Sequence, residues 1–294
     1  MGESLNKPTA VIHYLSDLVN NEEFAAMHEY FACTNRILNI KEIGGNKAVV
    51  IPRFTVQPQT VKDYLPDICS NFISTHSPAQ YNWVSDIRNW YHDLADLTPR
   101  TWFSHEFQHL PISGPYVVRG TNTSRKDHWD DMMFAANKAQ AIKVLGTLYQ
   151  DGLIGAEDCV IRKFIPFKQY GEGIGGIPII KEFRLFVFDG DPFYIHYYWC
   201  NYPELIPEEE KDISNSWTVG LKECIDKATN IASQHCLFYS LDIAQDVEGK
   251  WWVVEVNDGH RSGIPAENAE DYYTFYAGLE KRVQDWIERG CQKP

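Results

Sequence analysis

No stretch of the sequence reaches the roughly 18 consecutive apolar residues that a membrane-spanning helix needs, so no segment is a candidate transmembrane helix. Basic residues are in deficit: 27 Lys and Arg stand against 40 Asp and Glu, a net charge of −13. Phosphate backbones are held by an excess of cations, so a general nucleic-acid-coating surface is excluded, while a local basic groove is not. C-x-x-C pairs are absent, and the seven cysteines are scattered and odd in number. That is the pattern of reduced thiols rather than of a disulfide framework. The polar stretch Met1–Lys7 is followed by no signal-like apolar run, so the expected location is cytoplasmic. Internal repeats and low-complexity tracts are also missing. What is present is 44% hydrophobic and 14% aromatic residues over 294 positions, enough to bury a large core in two domains or one elaborate one.

The first third reads as a small α/β unit. Thr9–Tyr14 and Lys47–Phe54 are apolar enough for strands, and Asn21–Phe31 has a helical pattern capped by Asn20 or Asn21. Strand and helix alternating in this way predict a parallel sheet. A helix is expected over Ser85–Leu97, ended by Pro99. In the middle third, Tyr116–Arg119 is a strand opening into the polar loop Gly120–Asp127, Met132–Tyr149 a helix, and Cys159–Ile165 a strand. Four glycines make Gly171–Pro178 a flexible loop. Lys181–Phe188 and Phe193–Trp199 flank a hairpin turn at Asp189-Gly190-Asp191-Pro192. A helix over Trp217–His235, two strands, Phe238–Val247 and Lys250–Asn257, and a final helix over Asp271–Glu288 complete the chain.

His105-Glu106-Phe107-Gln108-His109 spells the H-E-x-x-H of zinc proteases. That chemistry needs both histidines on one helical face. Pro99 and Pro111 confine the segment to barely two turns, so a surface coincidence is expected. More informative is Ser240-Leu241-Asp242-Ile243-Ala244 against Val253-Val254-Glu255-Val256-Asn257. If Glu248-Gly249 form a two-residue turn, Asp242 and Glu255 stand directly opposite each other, and Asn257 shares their face. Opposed carboxylates repel, and magnesium, which takes hard oxygen ligands, compensates them. Two solvated carboxylates on an exposed face are the other reading.

Alternation also places Glu182 and Arg184 on one face of their strand, either as a site or as a surface ion pair. The loop Arg119-Gly120-Thr121-Asn122-Thr123-Ser124-Arg125-Lys126 offers hydroxyls and cations that suit phosphate, as well as the composition of an ordinary solvated loop. It lacks the Walker A spacing. Gly171-Glu172-Gly173-Ile174-Gly175-Gly176 is no dinucleotide fingerprint, since a strand rather than a helix follows it.

Together these pieces resemble the ATP-grasp superfamily, in a divergent branch, over roughly Leu94 to Asn257. The most specific is the ending: an Asp, then thirteen residues on a Glu-x-Asn. The Thr98-Pro99 segment, the strand Pro115–Gly120, the hinge strand Val160–Ile165 and the Glu182-Phe183-Arg184 strand each resemble a family counterpart. The resemblance implies an α/β (α+β) fold with two α+β subdomains clamping ATP after a small Rossmann-like unit. The division expected is 1–95, 96–165 and 166–294. It further implies metal ligands Asp242, Glu255 and Asn257 for magnesium, or manganese in its place. ATP contacts fall on Arg119, Thr123, Ser124, Arg125, Lys126, Lys163, Phe164 and Ile165, with the adenine met by the backbone of Lys163 and Ile165. Arg184 and Glu182 take the catalytic positions.

His260 and Arg261 follow the metal strand and are read as substrate contacts or as a solvated turn. Two departures stand out: Arg119 replaces the family's more usual Lys, and Ser240 its more usual Arg. The implied activity is an ATP-dependent ligase joining a carboxylate to an amine through an acyl phosphate, with amino acids, peptides or protein ends as candidate substrates. A kinase and a non-catalytic ATP-binding module are the alternatives, and RNA end joining is opposed by the net charge.

Overall fold

The computed structural model describes residues 8–15, 20–54 and 58–291; Met1–Lys7 lies outside them. Strands β1 (Ala10–Leu15), β2 (Ala32–Thr34), β3 (Val49–Phe54) and β4 (Ile73–Ser74) form a parallel sheet in the order β2-β1-β3-β4. The helix Asn21–Tyr30 starts where Asn20 accepts a hydrogen bond from the Glu23 N–H at 2.7 Å. The expected helix over Ser85–Leu97 is instead split. One helix spans Pro78–Ser85, a single turn spans Ile87–Trp90, and turns follow. Asp86 breaks it, because its extended backbone lets the carboxylate cap the Arg88 N–H at 2.9 Å. The apolar residues that suggested the helix, Trp90 and Leu94 among them, are nonetheless buried.

A second, antiparallel sheet has the order β5-β8-β6-β7, with β5 Thr101–Trp102, β6 Ser113–Gly120, β7 Phe134–Asn137 and β8 Cys159–Lys163. The helix expected from Met132 therefore starts later, at Lys138. Phe134-Ala135-Ala136 reads equally well as helix, but it pairs with β6, and Asn137 caps the helix behind it. The H-E-x-x-H segment is a 3-10 turn, Ser104–His109, in which Glu106 accepts from the Phe103 N–H and from Arg100, both at 3.0 Å.

The glycine-rich segment expected as a loop holds most of a two-stranded ribbon, β9 (Gln169–Glu172) and β10 (Pro178–Ile180), around a tight turn. Gly175 sits there at φ +68°, and a Cβ on it would lie 2.1 Å from the Asp127 carbonyl oxygen, so only glycine fits.

The third sheet, order β12-β11-β13-β14, is antiparallel: β11 Glu182–Phe188, β12 Asp191–Tyr197, β13 Phe238–Gln245 and β14 Trp251–Asp258. Asp189 (φ 51°) and Gly190 (φ 81°) make the tight turn between β11 and β12. On β11 the odd residues Phe183, Leu185 and Val187 pack with the helix Val219–Ala232. The opposite face is divided. Phe186 and Phe188 pack with Phe238, the parallel sheet and the helix Ala269–Glu288, while Glu182 and Arg184 continue the same row toward a cleft. The seven cysteines form no disulfide, and no helix among the described residues is long and apolar enough to cross a membrane.

Phe186 is fully buried, with Phe275 at a ring-centroid distance of 4.8 Å and Phe238 at 6.1 Å. Phe186→Ala is expected to cost about 3–5 kcal/mol, read as a lowered midpoint in chemical denaturation. A shift under about 1 kcal/mol would mean that this row does not join the sheets as described.

Candidate functional site: two clefts that meet at a charged cluster

The pleat of the third sheet aims one row of side chains at the second sheet. Arg184 lies opposite Asp242, and Asp242 lies opposite Glu255. The opposition arises differently from the turn assumed in the sequence. At the hairpin end Gln245 pairs with Trp251, one residue out of that register, and an irregularity between Asp242 and Ile243 restores it. Arg184 grips the Asp242 carboxylate with two hydrogen bonds of 2.7 Å and donates a third to the Gly263 carbonyl at 3.1 Å. Asn257 donates to Asp242 at 3.2 Å. From the second sheet, Arg119 meets Glu255 at 2.5 Å. Lys126 donates to the Tyr198 hydroxyl at 2.8 Å and lies over the Tyr198 ring.

Three carboxylates and three cations thus share a largely dehydrated space. Burial disfavours charge on Glu255, but Arg119, Lys126 and Arg184 outweigh it and bring its pKa down to about 2. Glu182 goes the other way. Burial, helped by Asp242 and Glu255 and opposed by Lys126 and Arg184, pushes it up to about 8. Lys126 and Arg184 are held above their ordinary values, because their acidic neighbours more than offset burial. Arg162, without a carboxylate of its own, is brought down to about 10 by burial and by Arg119. It donates instead to the Val254 carbonyl at 2.8 Å and to Thr98 Oγ1 at 2.7 Å.

Two clefts meet at this cluster. The first, of about 860 Å³, has Val117, Met133, Phe164, Ile165 and Ile180 as apolar walls and Arg119, Ser124, Lys126, Lys163, Glu182 and Glu255 among its polar lining. A second, of about 1030 Å³, is lined by Arg184, Tyr198, Cys200, Tyr202, Gly263, Pro265 and Tyr272. Lys126, Ile177 and Trp199 belong to both. The Lys163 and Phe164 N–H groups are already donated to the Arg100 and Pro115 carbonyls.

Four sequence-derived residues are placed elsewhere. Thr123 hydrogen-bonds Glu157 at 2.7 Å, and Arg125 faces Asp127 and Asp151, each at 3.4 Å. Glu157 also takes the N–H groups of Asn122 and Thr123, so the polar loop turns its backbone donors away from the first cleft and offers Ser124 and Lys126 to it. His260 is fully buried against Phe238, and Arg261 reaches the Tyr81 hydroxyl at 3.4 Å. Arg53 draws their turn inward by donating to the His260 and Ser262 carbonyls at 3.1 and 2.9 Å, so the residues from Gly263 to Ala266 line the second cleft instead. Ser240 packs inside, its Oγ 2.8 Å from that of Ser262.

Arg162, Tyr198, Trp199 and Tyr272 are contributors that the sequence reading did not select. Alternation contained a signal for Tyr198: Arg184 pairs with His196, and the position two beyond it faces the same way.

Residues 107–279 match a family model described as an ATP-grasp domain, the third family of its clade. The chain belongs to the ATP-grasp family. Both clefts are built almost wholly from this ATP-grasp segment; Pro99 is an exception. Among solved structures, the ATP-grasp chain is similar to D-cycloserine synthetase DcsG, with TM-score 0.62 and 12% identity over 93% of this chain and 99% of that one. N5-carboxyaminoimidazole synthetase from Staphylococcus aureus, complexed with ADP, gives TM-score 0.58 and 11% identity over 92% and 77%. D-alanine–D-alanine ligase from Bacillus anthracis, complexed with ATP, gives 0.52 and 15% over 94% and 98%. At these identities the likeness is one of fold. A search of curated proteins by sequence returns no match.

Glu182 has a testable pH signature. Its folded pKa, about 8, lies above that of an unfolded Glu, so the folded state holds the extra proton. The associated stability is complete below about pH 4.3 and is lost as pH rises through 8. Glu182→Gln is expected to flatten the fall in unfolding free energy between these limits, measured by denaturation in chelator. Parallel pH profiles for the two proteins would contradict the placement.

Proposed function

We propose that the chain is an ATP- and Mg²⁺-dependent ligase that joins a carboxylate to an amine, with amino acids, peptides or protein ends as candidate substrates. The observation that carries the reading is the junction of two clefts at one cluster of paired charges. ATP takes the first cleft, its adenine between the apolar walls and its phosphates toward Arg119, Ser124 and Lys126. The carboxylate substrate takes the second, beside Arg184. The three-part division at residues 95 and 165 belongs to the same reading, as does a cytoplasmic location.

Asp242, Glu255 and Asn257 would hold magnesium, and their hard oxygen donors on one face fit that ion. When bound, magnesium bridges phosphate oxygens and neutralises their charge. The chain's own residues do the rest. Arg119 and Lys126 hold the phosphates in line, and the aromatic walls at Tyr198 and Trp199 exclude water. A substrate carboxylate oxygen attacks the γ-phosphorus, and the bond to the β–γ bridging oxygen breaks, releasing ADP. Arg184 stabilises the charge on the acyl phosphate. The amine then attacks the acyl carbon, phosphate leaves, and the nitrogen gives up its proton. No nucleophilic side chain is required, since positioning and fixed charge supply the catalysis.

Thermal unfolding with ATP, with Mg²⁺ and with both is the first test. Saturating the folded state at about 100 times the dissociation constant adds about 2.7 kcal/mol, so the pair should raise the midpoint clearly more than either alone. Asp242→Asn and Glu255→Gln should remove that extra rise and magnesium-dependent turnover while the unliganded fold persists. Arg184→Ala should lower turnover more than nucleotide affinity. No rise with the pair, or unchanged turnover in both carboxylate variants, overturns the reading. Products separate the alternatives: a ligase releases phosphate only with both substrates present, whereas a kinase leaves a stable phosphorylated product. A binding module turns nothing over.

A further inference from the structure

Away from both clefts, at the seam between the end of β4 and the end of β14, His76, Asp258 and His260 form a cluster whose potential ligand atoms lie within 4.8 Å of one another. All three are buried, at 1%, 4% and 0% exposure. Both ring nitrogens of His76 and Oδ2 of Asp258 lack a hydrogen-bond partner. A buried, unpaired carboxylate oxygen beside two unpaired imidazole nitrogens is costly and calls for something to satisfy it.

His76 Nε2 and Asp258 Oδ2 are 3.2 Å apart, close enough to attract each other as an ion pair yet not aligned as donor and acceptor. Two ligands on arms of 2.0–2.2 Å around a tetrahedral ion are separated by about 3.3 Å. We propose that this cluster is a site for a divalent transition ion, zinc by its donor chemistry, held by His76 Nε2, Asp258 Oδ2 and His260 Nδ1. Imidazole and carboxylate donors suit zinc. His260 already has an outer partner, with Nε2 2.9 Å from Thr75 Oγ1, and burial together with His76 brings its pKa down to about 4, which keeps it in the neutral form a metal needs. The His76 and His260 rings are stacked at 4.1 Å with 23° between planes, and His260 Nδ1 is 2.9 Å from Asp258 Oδ1. Ligation by both rings therefore opens the stack and exchanges that hydrogen bond for a metal bond. Bound there, the ion would fasten the parallel sheet to the strand that carries Glu255 and Asn257.

The test is zinc binding by calorimetry, with elemental analysis after gel filtration, in excess Mg²⁺ and without ATP. The folded chain is expected to retain one zinc that raises its thermal midpoint. His76→Gln, checked for folding by circular dichroism, should weaken that binding by more than about tenfold, and this comparison also separates the site from the seven thiols. Should His76→Gln fail to fold, Thr75→Val takes its place, with a smaller loss expected. The Asp242→Asn, Glu255→Gln pair should keep the zinc. No zinc on the folded chain, equal affinity in the histidine variant, or loss in the carboxylate pair each overturns the proposal. Because ATP plays no part, any of these leaves the ligase reading standing.

Discussion

Charge compensation in a dry cleft is the constraint on which the rest of this architecture depends. Glu182, Asp242 and Glu255 converge from the third sheet, and Arg119, Lys126 and Arg184 converge on them from both sheets. Remove one cation and a buried carboxylate loses its partner, at a cost of several kcal/mol. The sheets must therefore stay in register with each other as well as within themselves. The surplus shows at Glu182, the one carboxylate of the three whose pKa is raised, because the nearby cations are shared with the other two.

Much of this was legible in the amino-acid order, because β-alternation is a strict rule. Glu182, Arg184, Asp242 and Glu255 were placed on one face from parity alone, and that is where they lie. Placement within the loops was harder to read. Thr123 and Arg125 have the right chemistry for phosphate, but Glu157, 34 residues from Thr123, claims the loop's donors. No local pattern announces that. His260 and Arg261 were misplaced for the same reason: Arg53, 207 residues away from His260, holds their turn. Where helix was expected at Phe134–Asn137, local propensity was ambiguous and pairing with β6 decided it.

The parallel sheet is more than a support. Through Arg53 it fixes the carbonyls of His260 and Ser262, and the next residue, Gly263, orients Arg184 through its own carbonyl. Arg53 is itself anchored by Glu23 at 2.9 Å, and Glu23 accepts from Tyr276 at 2.8 Å. A chain of buried polar contacts thus runs from the first helix to the centre of the cluster.

The irregularity between Asp242 and Ile243 insulates the cluster from the hairpin beyond it. On the hairpin side the strands keep one offset, on the cluster side another, and the mismatch is absorbed within one residue. Length changes at the exposed tip around Glu248-Gly249 can be taken up there without sliding Asp242 off Glu255. The tip is thus free to vary among relatives, or to accept an inserted tag, while the row of charges behind the bulge keeps its spacing.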